Sequence, residues 1–277
     1  MKRKLFLLLI PILGLSMFSR AQGDLLITPT RVVFEGNKQK TELNLVNIGK
    51  DTATYSVSFL QYNMTEEGTF VSIEKPDAGQ MFADPYLRIF PRTITLAPGE
   101  PQVVMLQCKR KSDMATGEYR SHLYFRADKK ANPLGLGKTD KDTTNLKVEL
   151  IPIFGLSIPI IIRSGIVNVS STLSDMKLET QADTIHNLKL TINRTGNISL
   201  YGDIIVQFIP PTGKAFEIGR VNGLGVYTNI NKRNVSVRLH NVPGSVLKNG
   251  KLKVQYVSND PTQKTVTVYA ESELEVK

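Results

Sequence analysis

A single cysteine, Cys108, in 277 residues rules out an intrachain disulfide, so the fold must rest on hydrophobic cores. Cys108 continues the apolar positions Val104 and Leu106 and reads as a small buried hydrophobe rather than a reactive thiol. The three histidines, His122, His186 and His240, are scattered, and none has a zinc-ligand spacing to the cysteine or to another histidine. No G-x-S-x-G elbow, P-loop or dinucleotide fingerprint occurs, and Gly135-Leu136-Gly137-Lys138 lacks the strand-to-helix setting that phosphate binding demands. These gaps lead us to expect no enzyme, no metal and no cofactor. Sustained 3.6-residue periodicity is almost missing, which argues against helices.

The one long apolar run is at the start. Lys2, Arg3 and Lys4 precede an apolar stretch from Leu5 to Phe18, broken by Pro11 and Gly14, and Ser19-Arg20-Ala21 offers small residues for cleavage. Residues 1–21 are therefore expected to be a secretory signal peptide, and no later stretch is long and apolar enough for a helical membrane span. Lys and Arg outnumber Asp and Glu by 35 to 25, but removing the four basic residues of the leader leaves 31 to 25. The remaining clusters, such as Lys109-Arg110-Lys111 and Lys129-Lys130, sit in turn-like segments beside Asp113 and Asp128, so nucleic acid is not an expected partner. Five N-x-[ST] sequons, at Asn63, Asn168, Asn193, Asn197 and Asn234, are read as chance matches in an exported bacterial protein.

What is abundant is short alternating or β-branched runs separated by Gly, Pro, Asn and Asp. Strands are predicted over 25–34, 41–47, 54–61, 86–90, 102–109, 119–126 and 146–163, and then over 165–170, 188–193, 203–208, 215–219, 235–239, 251–257 and 266–275. Two cycles of seven strands predict an all-β chain of two immunoglobulin-like β-sandwich domains, over 22–163 and 164–277, after the signal peptide. Ala97-Pro98-Gly99-Glu100 has Pro and Gly where a type II turn needs them. Asp113 to Tyr119 has the pattern of a tyrosine corner.

The segment 146–163 has its own pattern. Leu146, Val148, Leu150, Pro152, Phe154, Leu156, Ile158, Ile160 and Ile162 form an apolar face of period two, longer than one sandwich edge requires. Two readings stay open: the whole run is core, split by Pro152, or Phe154 to Ile162 is core and Leu146 to Pro152 is exposed.

Three segments carry a resemblance. Ile27-Thr28-Pro29-Thr30-Arg31-Val32-Val33-Phe34 with Leu43 to Asn47, then Phe82 to Arg92, then Gly117 to Phe125, resemble in order and spacing the N-terminal domain of the periplasmic pilus (fimbrial) chaperones. The resemblance implies two immunoglobulin-like domains, with an Arg in the cleft between them that binds the C-terminal carboxylate of a subunit. It also implies a strand that lends alternating apolar side chains to the subunit's incomplete sandwich. The matching partner-binding residues are Arg31, Leu146, Val148, Leu150 and Pro152. Departing from the family pattern, no lysine lies between Glu149 and Arg163; Ser157 or Pro159 stands where one is expected. The resemblance implies a periplasmic chaperone for pilus assembly and fimbrium biogenesis in the cell envelope. Its partners would be an exported subunit and an outer-membrane assembly component. The alternative is a structural or adhesive protein of the envelope, secreted or on the cell surface.

Overall fold

The computed structural model describes residues 25–128, 154–181, 185–240, 247, 249–258 and 265–276. The expected signal peptide and Leu146, Val148, Leu150 and Pro152 lie outside the described residues.

The first half contains β1 (Leu25–Thr28), β2 (Val32–Phe34), β3 (Lys40–Asn47), β4 (Ala53–Leu60), β5 (Tyr62–Met64) and β6 (Phe70–Ser72). It continues with β7 (Leu87–Phe90), β8 (Thr93–Leu96), β9 (Pro101–Cys108), β10 (Gly117–Ala127) and β11 (Gly155–Ser164). Two sheets, ordered β1-β3-β9-β7 and β2-β11-β10-β4-β8, face one another. Alternation decides which side chains meet between them: Leu43, Leu45, Val104 and Leu106 from one sheet pack with Leu123, Phe125, Ile160 and Ile162 from the other. Cys108 lies in this core, and burial pushes its thiol pKa up.

The second half contains β12 (Val169–Gln181), β13 (Ile185–Gly196), β14 (Leu200–Ile209), β15 (Phe216–Val226), β16 (Lys232–Leu239), β17 (Gly250–Ser258) and β18 (Val268–Val276). Its sheets are β12-β13-β16 and β15-β14-β17-β18. On β14 every second residue from Leu200 to Phe208 is buried. Ile204, Val206 and Phe208 meet Leu188, Leu190, Val237 and Val254 in a separate core. The chain is thus all-β, with two sandwich-like domains. On the outer strand β18, Glu271 pairs with Lys253 at 3.0 Å, while Glu273 and Glu275 pair with Lys251 at 3.4 and 3.0 Å.

Several expectations change. The run 25–34 is two strands: Pro29 has no N–H to give to a ladder, and the chain leaves the first sheet there. β1 pairs antiparallel with β3, whereas β2 pairs parallel with β11, Val32 opposite Ile160. Residue 86 belongs to a short 3-10 turn, Asp84–Tyr86, at whose start the Ala83 and Asp84 N–H groups donate to Ser121 Oγ. The strands β5, β6 and β8 are absent from the sequence reading, being too short to show a period. The run 165–170 shifts into the thirteen-residue β12, where Val169, Leu173, Met176 and Leu178 pack against the core and a bulge after Ser174 breaks the alternation. β15 runs well beyond the expected 215–219 because Gly223 (φ +70°) lies within the strand, at the irregular pairing opposite Gly202 and Ile204.

The local motifs form as read. Gly99 has φ +75° and the Glu100 N–H donates to Ala97 O at 3.0 Å, a type II turn. Tyr119 O–H donates to Ala115 O at 3.2 Å, closing the tyrosine corner. The sequon amides of Asn193 and Asn197 donate within the fold, to Ser174 Oγ and Ile166 O, each at 2.9 Å.

Two substitutions of different kinds gauge this packing. Leu106→Ala empties a fully buried site and is expected to cost about 2–5 kcal/mol. Tyr119→Phe loses one hydrogen bond and is expected to cost about 1 kcal/mol. Urea unfolding of the two variants against the parent chain checks both values.

Candidate functional site

Strand β10 lies between β11 and β4, so one of its faces belongs to the first core. Its other face carries Glu118, Arg120 and His122 in alternation, and residues of the second sandwich meet all three: Ser199 bonds Glu118 and Arg120, and Tyr227 meets Arg120 and His122. Glu118 is completely enclosed: its Oε1 accepts from Arg120 Nη2 at 2.6 Å, and its Oε2 from Ser199 N and Ser199 Oγ at 3.1 and 2.8 Å. The Glu118 N–H donates to Asn197 O at 3.2 Å, and Arg163 Nε stands 3.8 Å from the same carboxylate. Burial alone would raise the Glu118 carboxyl, but the charge of Arg120 and the hydrogen bonds from Ser199 and Arg120 outweigh it and hold the group below the usual range. Arg120 also bonds Ser199 Oγ at 2.6 Å and stacks on the Tyr227 ring, 3.7 Å from its centroid.

A second contact lies on the β5–β6 hairpin. Asn229 Nδ2 donates to Met64 O at 2.8 Å, and Asn234 N–H donates to Glu66 O at 2.7 Å. Gly68 (φ +83°) turns the hairpin against Arg233, whose guanidinium occupies the space a Cβ would need.

Between these contacts is a cleft of about 420 Å³. Aromatic rings wall it: Tyr62 meets His122 edge-on at 4.9 Å, and Phe70 lies 5.5 Å from Tyr227. His122 is 5 % exposed, its Nε2 lies 3.1 Å from Tyr227 Oη, and its Nδ1 has no hydrogen-bond partner among the described residues. Burial, helped by the neighbouring charge of Arg120, lowers its pKa to about 3 and keeps the ring neutral.

Arg31 lines the same cleft, with its guanidinium 4.5 Å from the centroid of the Tyr201 ring. Its pKa is lowered to about 10, first by burial and then by Arg120 and Arg163, with Glu118 opposing. No carboxylate pairs with it directly among the described residues. Ser157 and Pro159 of β11, the positions where a lysine was expected, line the cleft beside it.

Arg31 also stands where an open edge begins. The chain enters β2 immediately after it, and β2 covers β11 only from Ile160 to Ile162. From Gly155 to Pro159 the strand pairs with β10 on one side and with no described residue on the other. Phe154 and Leu156 are 40 % and 41 % exposed there.

In overall fold the chain is similar to solved fimbrial chaperones. The YadV chaperone matches with a TM-score of 0.46 and 11 % identity over 92 % of this chain and 100 % of that one. A chain of the CsuC–CsuE chaperone–tip adhesion subunit pre-assembly complex, from the Csu pili of Acinetobacter baumannii, gives 0.47 and 13 % over 90 % and 99 %. The Escherichia coli chaperone DraB gives 0.44 and 10 % over 91 % and 96 %. No family model matches the chain, and no curated protein matches it.

Sequence reasoning singled out Arg31 and gave His122 no zinc-ligand spacing; it missed the roles of Glu118, Arg120, Tyr201 and Tyr227. One signal was present: three ionisable residues at period two within a strand form a polar face that must find water or partners.

The buried pair sets two expected outcomes. Arg120→Ala removes the closer counter-charge of the enclosed Glu118, leaving only Arg163 at 3.8 Å, and is expected to lower stability by about 3–5 kcal/mol. Because the folded carboxyl titrates below its unfolded value of about 4.3, its stabilisation is present above that pH and is lost as pH falls through the folded value. Melting temperatures at pH 7 and pH 3 are therefore expected to differ less in Glu118→Gln than in the parent chain.

Proposed function

We propose that this chain is an exported chaperone, working in the periplasm, that holds pilus-type subunits by adding a subunit strand to its own open edge. The observation that carries this reading is the edge of β11 from Gly155 to Pro159, which ends at Arg31. An entering strand parallel to β11, in line with β2, would finish with its last residue beside Arg31. An antiparallel strand would bring an amino terminus to a guanidinium, which like charge disfavours. A free carboxylate suits Arg31 because a planar fork can give it two parallel charge-assisted bonds. Backbone ladder bonds would supply affinity, and the exposed Phe154 and Leu156 would fill gaps in an incomplete sandwich.

On this reading Leu146, Val148, Leu150 and Pro152 extend the donated apolar row. The units 22–163 and 164–277 act together, and the signal peptide 1–21 directs export. The subunit is then passed to an outer-membrane assembly component. The chain works by binding and needs no catalysis. This is also the function implied by the resemblance of its first half to fimbrial chaperones.

A photo-activated cross-linking residue at Leu156, with a second at the exposed Val268 on β18 as control, tests the reading in the native envelope. The expected result is a discrete exported β-rich protein captured at 156 and not at 268, with capture at least tenfold weaker when Arg31→Gln is added. Adducts confined to the chain itself would overturn strand addition and favour an adhesive or structural module.

A further inference from the structure

We propose that His122 is a second anchor for the carboxylate that Arg31 holds, donating to it from Nδ1–H. The inference rests on the strand-addition reading above and adds a recognition residue to it.

The backbone places the two groups together. His122 on β10 is registered directly opposite Pro159 on β11. Arg31 precedes Val32, which is registered with Ile160, so Arg31 stands level with Pro159 on the far side of the strand. All three residues line the one cleft.

The tautomer follows from the neighbours. A neutral imidazole has one donor nitrogen and one acceptor nitrogen. At Nε2 the partner is the Tyr227 hydroxyl, 3.1 Å away. A phenol is a strong donor with a weakly accepting oxygen, whereas an imidazole lone pair accepts well, so the assignment that suits both groups has Tyr227 O–H donating to Nε2. The ring proton then sits on Nδ1, which has no partner among the described residues. The ring cannot easily turn away: Tyr62 meets its face or edge at 4.9 Å, Phe70 lies 6.0 Å off, and Tyr227 stacks at 6.1 Å.

A buried donor without an acceptor is costly, and a ligand that brings an acceptor removes that cost. The acceptor must also suit the guanidinium in the same cleft. A carboxylate, with two oxygens and about four lone-pair sites, can serve both donors at once. A carbonyl or an amide end has one oxygen and no charge, so the pair of donors selects a free chain terminus.

Peptide binding to the full mature chain tests this. The probes are a synthetic ten-residue peptide of alternating valine and threonine with a free C-terminal carboxylate and the same peptide as its C-terminal amide. In the parent chain the carboxylate form is expected to bind at least tenfold more tightly. In His122→Phe that preference, measured as the ratio of the two affinities, is expected to fall by about tenfold. In 15N-histidine-labelled parent chain the carboxylate peptide, and not the amide, is expected to move the Nδ1 resonance of His122, a readout that needs no substitution. Full preference retained in His122→Phe, or an unmoved resonance, overturns the role of His122 and leaves strand addition standing. Equal affinity for the two peptides in the parent chain, or no binding of either, overturns the Arg31 anchor and this inference with it.

Discussion

The structure turns on one carboxylate. Glu118 is enclosed between the two sandwiches, and a charge taken out of water is tolerated only when its neighbours replace the lost hydration. Those neighbours come from both halves: Arg120 from the same strand, Ser199 from the turn between β13 and β14 of the second sandwich. Arg120 then lies on Tyr227, and Tyr227 holds His122. One electrostatic requirement thereby sets the junction, orients the second half and builds one wall of the cleft. Networks of this kind stand or fall as a unit, because each member leaves the next one buried and unpaired if it is removed.

Much of the architecture was legible from local rules. Period-two patterns mark β3, β9, β10 and β14, and the turn at Pro98-Gly99 and the corner at Tyr119 form where their chemistry places them. Three-residue strands such as β5 and β6 carry no measurable period, so the hairpin that supplies Tyr62 and Phe70 to the cleft could not be seen. The polar side of β12 blurred its alternation in the same way. Arg31 was legible through its resemblance-bearing segment. The partners of Arg120 and His122 were not, because Ser199 and Tyr227 are 79 and 105 residues further along the chain and no spacing rule connects them.

The sheet edges differ in character. On β18 the outward residues alternate as glutamates matched to lysines of β17, a charged border that discourages another strand from docking. The β11 edge near Gly155 has apolar side chains and an adjacent arginine. These two borders thus offer an incoming strand different surfaces, one charged and one apolar.

The hairpin β5–β6 has a consequence for rates. With Met64 O and Glu66 O bonded to the second sandwich on one flank, and Glu118 and Ser199 locked together on the other, the cleft is pinned at both ends. Contacts on both flanks hold the two walls of the cleft at a fixed spacing. Capture should then follow simple second-order kinetics, its observed rate rising in proportion to ligand concentration without a plateau.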